Sequence, residues 1–277
     1  MTEPVDRSQS LIDPIDPARA RALQAALGDE PAIEHGDPLP PFFHQMYFWD
    51  PQPPVALGRD GHPATGGFIP DMGLPRRMWA AGRLVFHSPL LAGIRAERIS
   101  TIESVTRKEG RSGPLAFVRL RHDFRQRGTL ALTEWQELVY RNDPGPGAKA
   151  LAPPVAGTDE DQMVLRSFDS TLLFRYSALT FNGHRIHYDE AYAREVEGYD
   201  GLVVHGPLLA QLLMLLAAEK LTTQKLQSEK LQPLSEFSYR ATAPLMHHEV
   251  AELCWRADGA LWVRGPDGRQ CMLAQAR

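Results

Sequence analysis

Hydrophobic and polar positions change period several times along this chain, and the changes mark out its elements. Asp16 followed by Pro17 is a good cap and first helical residue; the Ala/Arg/Leu-rich run after it predicts a helix to Leu27, stopped by Gly28. Pro40 and Pro41 precede an aromatic stretch, 42–49, that reads as a short helix, and the Pro/Gly-rich residues 51–67 read as an extended loop of functional length. From Arg83 the period becomes two. Leu84 and Phe86, then 99–105, 115–124 and 130–140, alternate or are rich in β-branched and aromatic residues, with turn signals at 110–114 and at Arg127 and Gly128.

The order then recurs. A strand at 163–168, a short amphipathic helix at 171–179, a polar loop and a helix starting at Gly206 and Pro207 are followed by strands at 236–241, 249–256, 261–264 and 270–276. The second of these helices carries Leu208, Leu209, Leu212, Leu213, Leu215 and Leu216 nearly all round, so it is expected to be buried. Matching landmarks, LGDEP against LTFNGH and HSPL (87–90) against TAPL (242–245), indicate a degenerate internal repeat. This gives an N-terminal repeat at 1–145, a Pro/Gly/Ala-rich linker at 146–157 and a C-terminal repeat at 158–277, within an α+β fold. Gly28, Asp29 and His35 look like a decayed copy of the loop kept in the second repeat.

Bulk properties narrow the function. The 277 residues are 43% hydrophobic, ample for a packed core, and a formal net charge of -4 gives no basic footprint, so no nucleic-acid partner is expected. Cys254 and Cys271 are far apart and outside any CxxC pairing, as expected of reduced thiols in the cytoplasm. The N-terminus lacks the pattern of a secretory signal, and the apolar run after Leu208 is too short to span a bilayer and is broken by Gln211, so no membrane is expected either.

The stretch from Tyr176 to Leu216 concentrates the chemistry. Gly206 lets a ligand approach the backbone, and Pro207 at the first helical position wastes no donor, so the helix opens with N–H groups that can hold a developing negative charge. Asn182, His184 and His187 in the preceding loop could supply a proton carrier; equally, Gly206 and Pro207 could simply start a core helix and the histidines decorate a loop. A metal site at His184, His187 and Asp189 has little support, because HxxH without further spaced ligands is a weak signal.

The run TFNGHRIH, residues 180–187, resembles the hydratase motif of the MaoC-like, hot-dog-fold enoyl-CoA hydratases and dehydratases. The terminal His187 is kept and the motif's aspartate is replaced by Asn182. VVHGPLLA (203–210) resembles that family's entry into its central helix, and LPRRMWAAGRLVFHSPL and KEGRSGPLAFV extend the likeness over most of the chain. The wording is closer still to the two-domain branch containing mesaconyl-C4-CoA hydratase, itaconyl-CoA hydratase and type 2 3-hydroxyacyl-thioester dehydratase.

The resemblance implies a double hot-dog, two tandem repeats each with an antiparallel sheet wrapped around a central helix, in which the fused pair acts as a built-in dimer; a homodimer of the whole chain stays open. It implies a hydro-lyase acting on an acyl-CoA thioester, with coenzyme A as part of the substrate and neither metal nor other cofactor. Hydration of mesaconyl-C4-CoA or itaconyl-CoA to citramalyl-CoA is the expected reaction. A fatty-acid 3-hydroxyacyl-thioester dehydratase and a non-catalytic acyl-CoA-binding protein are the alternatives.

Within that frame His187 is expected to carry the proton, Asn182 to position water, since an amide cannot exchange one, and Gly206 to bind the thioester oxygen. His184 and His205 are candidates for substrate contact or for shaping the loop. Arg76 and Arg77 are candidates for gripping a distal carboxylate, unless they are solvated surface charges. Lys108 and Arg111 are candidates for the CoA phosphates, unless they belong to an ordinary charged turn.

Overall fold

The computed structural model describes residues 2–3, 7–110, 113–143, 152–228 and 234–277, with the backbone alone at 2–3 and 224–228. After β1 (Thr2–Glu3) and β2 (Arg7–Asp13), helix α1 (Pro17–Leu27) starts where the Asp16 carboxylate accepts the Ala18 N–H at 2.9 Å, and ends where Gly28 turns left-handed at φ 92°. Four long strands follow: β3 (Arg76–Phe86), β4 (Ala96–Gly110), β5 (Gly113–Gln126) and β6 (Thr129–Arg141). The second half opens with β7 (Gln162–Arg166), α2 (Ser170–Leu179), α3 (Glu190–Glu195) and α4 (Gly206–Ser228). It closes with the short strands β8 (Glu236–Ala241), β9 (Ala251–Trp255), β10 (Ala260–Arg264) and β11 (Gln270–Ala276). Helix α2 is capped by Asp169, whose carboxylate accepts the Leu172 N–H at 2.7 Å.

One antiparallel sheet runs through both halves. Its order is β1-β4-β5-β6-β3-β8-β11-β10-β9-β7, with β2 also on β4. The second half therefore repeats, outward from the β3–β8 seam, the strand order of the first, as the landmarks in the sequence predict. The seam itself is a regular ladder from Ala81 opposite Arg240 to Val85 opposite Glu236.

The halves differ at their centres. Helix α4 is 23 residues long and packs on the second-half strands; Leu208, Leu213, Met214 and Ala217 are fully buried. Burying such side chains contributes roughly 1.5–3 kcal/mol each, which outweighs the weak amphipathicity of the helix. Between α1 and β3 the described residues of the first half form only two 3-10 turns, Phe43–Met46 and Pro54–Ala56, where a central helix and an aromatic helix over 42–49 were expected. Phe42, at φ 70°, starts the first turn, and Phe42, Phe43, Met46, Tyr47 and Phe48 fill the local core with aromatic bulk instead of helix length. Gln211 of α4 ties the two centres together by donating to the Pro41 carbonyl at 2.8 Å.

Strand β2 and helix α3 are additions to the sequence reading, and β3 begins seven residues earlier than its alternation indicates. The expected linker lies partly outside the described residues. Cys254 and Cys271 are buried free thiols, and among the described residues no helix is long and apolar enough to cross a membrane.

Candidate active site

A cavity of about 830 Å³ lies where the start of α4 meets the loop after α2 and the long strands of the first half. Its walls include His187, Asn182, His184, Gly206, Arg76 and Arg77, so the structure gathers most of the residues singled out in the sequence.

His187 is 6% exposed, on a 3-10 turn at Arg185–His187. Its Nδ1–H donates to the Val203 carbonyl at 2.7 Å, which leaves Nε2 as a lone-pair acceptor with no partner among the described residues. Burial, reinforced by neighbouring His184, pushes its pKa down to about 3, against the opposing pull of the Val203 hydrogen bond. At neutral pH the ring is therefore uncharged and able to accept a proton.

Gly206 is the first residue of α4, and its N–H makes no hydrogen bond among the described residues. A Cβ there would meet nothing within 4 Å, so the open space in front of the helix tip can take a ligand atom.

Asn182 is less free than its sequence position implies. Its Oδ1 accepts the His184 N–H at 3.0 Å, shaping the motif loop and leaving chiefly the Nδ2 donors for a ligand or water. The loop is strained at Phe181 (φ 51°), whose ring stacks on Trp49 of the first half with centroids 5.0 Å apart.

A second clamp comes from the 51–67 loop. The Arg185 N–H donates to the Asp60 carbonyl at 2.9 Å, and Gly61, at φ 87°, approaches Gly183 so closely that a Cβ on Gly61 would lie 2.0 Å from the Gly183 oxygen. Only glycine fits this crossing. The loop thereby delivers Asp60 and His62 to the cavity wall. His62 lies 4.5 Å from His184 between ring centroids, and the ligand atoms of Asp60, His62 and His184 all fall within 4.8 Å of one another, a spacing a metal ion could use. Of the residues weighed in the sequence for such a role only His184 belongs to this trio: Asp189 instead caps α3 at the Tyr192 N–H and pairs with Arg185. Sequence reasoning missed Asp60 and His62. The signal available was a DGH triplet inside a long Pro/Gly-rich loop.

Several expectations are corrected. His205 is fully buried and does not line the cavity: its ring stacks flat on His187 at 3.6 Å with Nε2 bonded to Ser177 Oγ at 2.8 Å, so it supports His187 from behind. Arg76 lines the cavity, but its guanidinium forms a buried ion pair with Glu197 and donates to the Glu197 carbonyl at 3.4 Å, so its charge is already neutralised. Arg77 has no carboxylate partner among the described residues. Lys108 is exposed near the far end of β4, its ammonium 5.4 Å from the Phe117 ring centre, and does not line the cavity; Arg111 lies outside the described residues. Asp29 and His35, the supposed decayed loop, are exposed and away from the cavity.

A neutral imidazole and a free helix-tip N–H in one cavity, within a duplicated sheet wrapped on one long helix, are groups suited to acid–base chemistry beside a polarised carbonyl. Residues 42–247 match the family model described as hydroxyacyl-thioester dehydratase type 2, and the chain belongs to this family of MaoC-like hydro-lyases. It is 43% identical to the mesaconyl-C(4)-CoA hydratase of Chloroflexus aurantiacus over 98% of this chain and 95% of that one. The fold is the double hot-dog. HtdX from Mycobacterium tuberculosis superposes with a TM-score of 0.66 at 15% identity over 98% of this chain and 99% of its own. A second protein of that organism, described as a double hot-dog, gives 0.52 at 15% identity over 100% and 94%.

Proposed function

We propose that this protein catalyses the reversible addition of water across the double bond of a short, branched, dicarboxylic enoyl-CoA, mesaconyl-C4-CoA or itaconyl-CoA, giving citramalyl-CoA. The observation that carries this reading is Arg77: a guanidinium without a carboxylate partner among the described residues, on the wall of a cavity that also holds His187 and the α4 tip. A planar guanidinium grips a carboxylate in a bidentate way, as the distal acid group of such a substrate requires. The likeness to the Chloroflexus hydratase supports the same substrate class.

The thioester carbonyl docks on the Gly206 N–H at the positive end of α4, which draws electron density from the double bond. Asn182 holds the water through Nδ2. In mesaconyl-C4-CoA, whose double bond is conjugated with the thioester, His187 Nε2 takes one proton from that water as its oxygen bonds to the β-carbon, and the double-bond electrons move onto the thioester as an enolate. The imidazolium then returns the proton to the α-carbon. Itaconyl-CoA, whose double bond lies one carbon farther out, reaches this step only after a proton moves from its α-carbon to its γ-carbon. Atoms balance, and no redox step arises because the thioester itself acidifies the α-carbon. Coenzyme A enters only as part of the substrate, and the reading places the protein in the cytoplasm.

The family match also supports a second reading, dehydration of a longer 3-hydroxyacyl thioester, for which the cavity has room. Turnover of mesaconyl-C4-CoA, itaconyl-CoA, crotonyl-CoA and a ten-carbon 3-hydroxyacyl-CoA by purified protein separates the two. The proposal expects kcat/KM for a dicarboxylic substrate to exceed that for crotonyl-CoA by about tenfold or more, and Arg77→Met to remove that preference. Preference for the long monocarboxylic thioester would establish the second reading instead.

A further inference from the structure

The carboxylate missing from the motif at Asn182 has a counterpart on the opposite wall. Asp60 Oδ2 lies 3.1 Å from His62 Nδ1, and Asp60 Oδ1 accepts the His62 backbone N–H at 3.1 Å, so one side chain fixes both the turn and the ring. The two side chains are 16% and 15% exposed, and both line the cavity. His184 stands between the two loops, 4.5 Å from His62 and 5.4 Å from His187 by ring centroids.

The charge states follow from the surroundings. Burial alone would raise the Asp60 pKa, but the hydrogen bonds and charge of His62 hold it down to about 2. His62 is pushed down to about 4 by burial and by the positive field of Arg77 on β3, with His187 adding to this and Asp60 opposing. An anionic Asp60 can only accept, so it holds the single proton of neutral His62 on Nδ1 and leaves Nε2 as an acceptor. This is the arrangement His187 reaches with the Val203 carbonyl. Two neutral imidazoles with bare Nε2 atoms thus border one cavity from the two halves of the chain.

We propose that Asp60 and His62 are the second half of the water site: His62 Nε2 accepts the O–H of the attacking water that is not transferred, while His187 Nε2 takes the other proton. The inference rests on the hydratase reading above. The retained O–H becomes the hydroxyl of the product, so no further acid or base is consumed. His62 is then a catalytic residue, in contact with the reacting water, and Asp60 a positioning residue that acts through it. Asn182, unable to exchange a proton, serves only as a donor to the water oxygen.

Asp60→Asn is the discriminating variant, because an amide oxygen still accepts the His62 N–H and preserves the turn while the negative charge disappears. With the tautomer no longer fixed, kcat is expected to fall about 100-fold with KM changed less than about threefold and Tm nearly unchanged, and Asp60→Glu to recover part of the rate. Nitrogen NMR of histidine-labelled protein, read without substrate, is expected to show His62 protonated on Nδ1 in the wild type and redistributed to Nε2 in D60N. The pair is overturned if D60N retains kcat within threefold, or if wild-type His62 carries its proton on Nε2. It is equally overturned if a chelator abolishes activity and Zn²⁺ restores it, since Asp60, His62 and His184 would then be ligands. Wild-type protein inert towards every enoyl thioester would sink the underlying hydratase reading; wild-type turnover with D60N unimpaired would sink only the pair.

Discussion

The two halves repeat one strand order but have invested it differently. In the second half, strands of five to seven residues wrap a 23-residue helix; in the first, strands of 11 to 15 residues curl over a four-residue turn. The second half therefore owns the helix tip that can polarise a carbonyl, along with the strained loop bearing His187. The first owns the space. Where a central helix would pass, its strands present Arg98, Ser100, His122 and Gln136 to the cavity, and Glu134 is fully buried, its carboxylate paired with His44 and accepting from the side-chain amides of Gln45 and Gln136. Long strands compensate by building a small core of their own around Ile102, Val118, Leu120 and Leu138. One repeated strand order thus carries a half with a long central helix and a half whose strands shape the pocket.

The sharpest way to break this comparison is to remove the proposed proton carrier of the second half. His187→Ala is expected to lower kcat about 1,000-fold on the best enoyl-CoA, within the range of general acid–base effects, while circular dichroism stays native. A loss below tenfold would mean that the second half does not hold the chemistry.

Acid sensitivity sharpens the comparison further, because both halves bury neutral histidines. Burial, the largest cause at each, lowers His62 and His122 to about 4 and His184 and His187 to about 3, with His205 also well below its ordinary value. Unfolded, these rings take up protons near pH 6.5; folded, they do not until far lower. Their contribution to stability is thus complete above pH 6.5 and is lost as pH falls towards 3. A Tm that declines steadily across that window is expected, with a shallower decline in His122→Asn and His187→Asn alike; a flat profile would contradict the buried neutral state. The smallest effect is expected at Lys108→Ala, far from the cavity: kcat/KM within twofold of wild type, measured by the same assay. A tenfold rise in KM would put the CoA phosphates at that turn after all.

Much of the fold was legible because local rules agreed with it. Asp16, Pro17 and Gly28 bracket α1, the leucines after Pro207 declare a buried helix, and the alternation at 115–124 and 130–140 falls within β5 and β6. The missing first-half helix was not legible, since the 42–49 run is apolar enough for a helix and only the tertiary context turns Phe42 left-handed. Residues joined by sequence motif, namely Asn182, His184, His187 and Gly206, came together as expected. Those joined only by folding did not announce themselves: Asp60 and His62 reach the site through a Gly61–Gly183 crossing between residues 122 positions apart, and Glu197 claims Arg76 from 121 positions away. His205 misled because its neighbour Gly206 faces the cavity while its own ring points behind His187.

The most direct test of the shared pocket is a crystal structure with 2-methylsuccinyl-CoA, a saturated dicarboxylic thioester that cannot be hydrated. The account requires the thioester oxygen within about 3 Å of the Gly206 nitrogen, a hydrogen-bond distance, with the α- and β-carbons facing His187 Nε2 and the free carboxylate on Arg77. An acyl group bound elsewhere, or a His187 ring with Nε2 turned from those carbons, would contradict it.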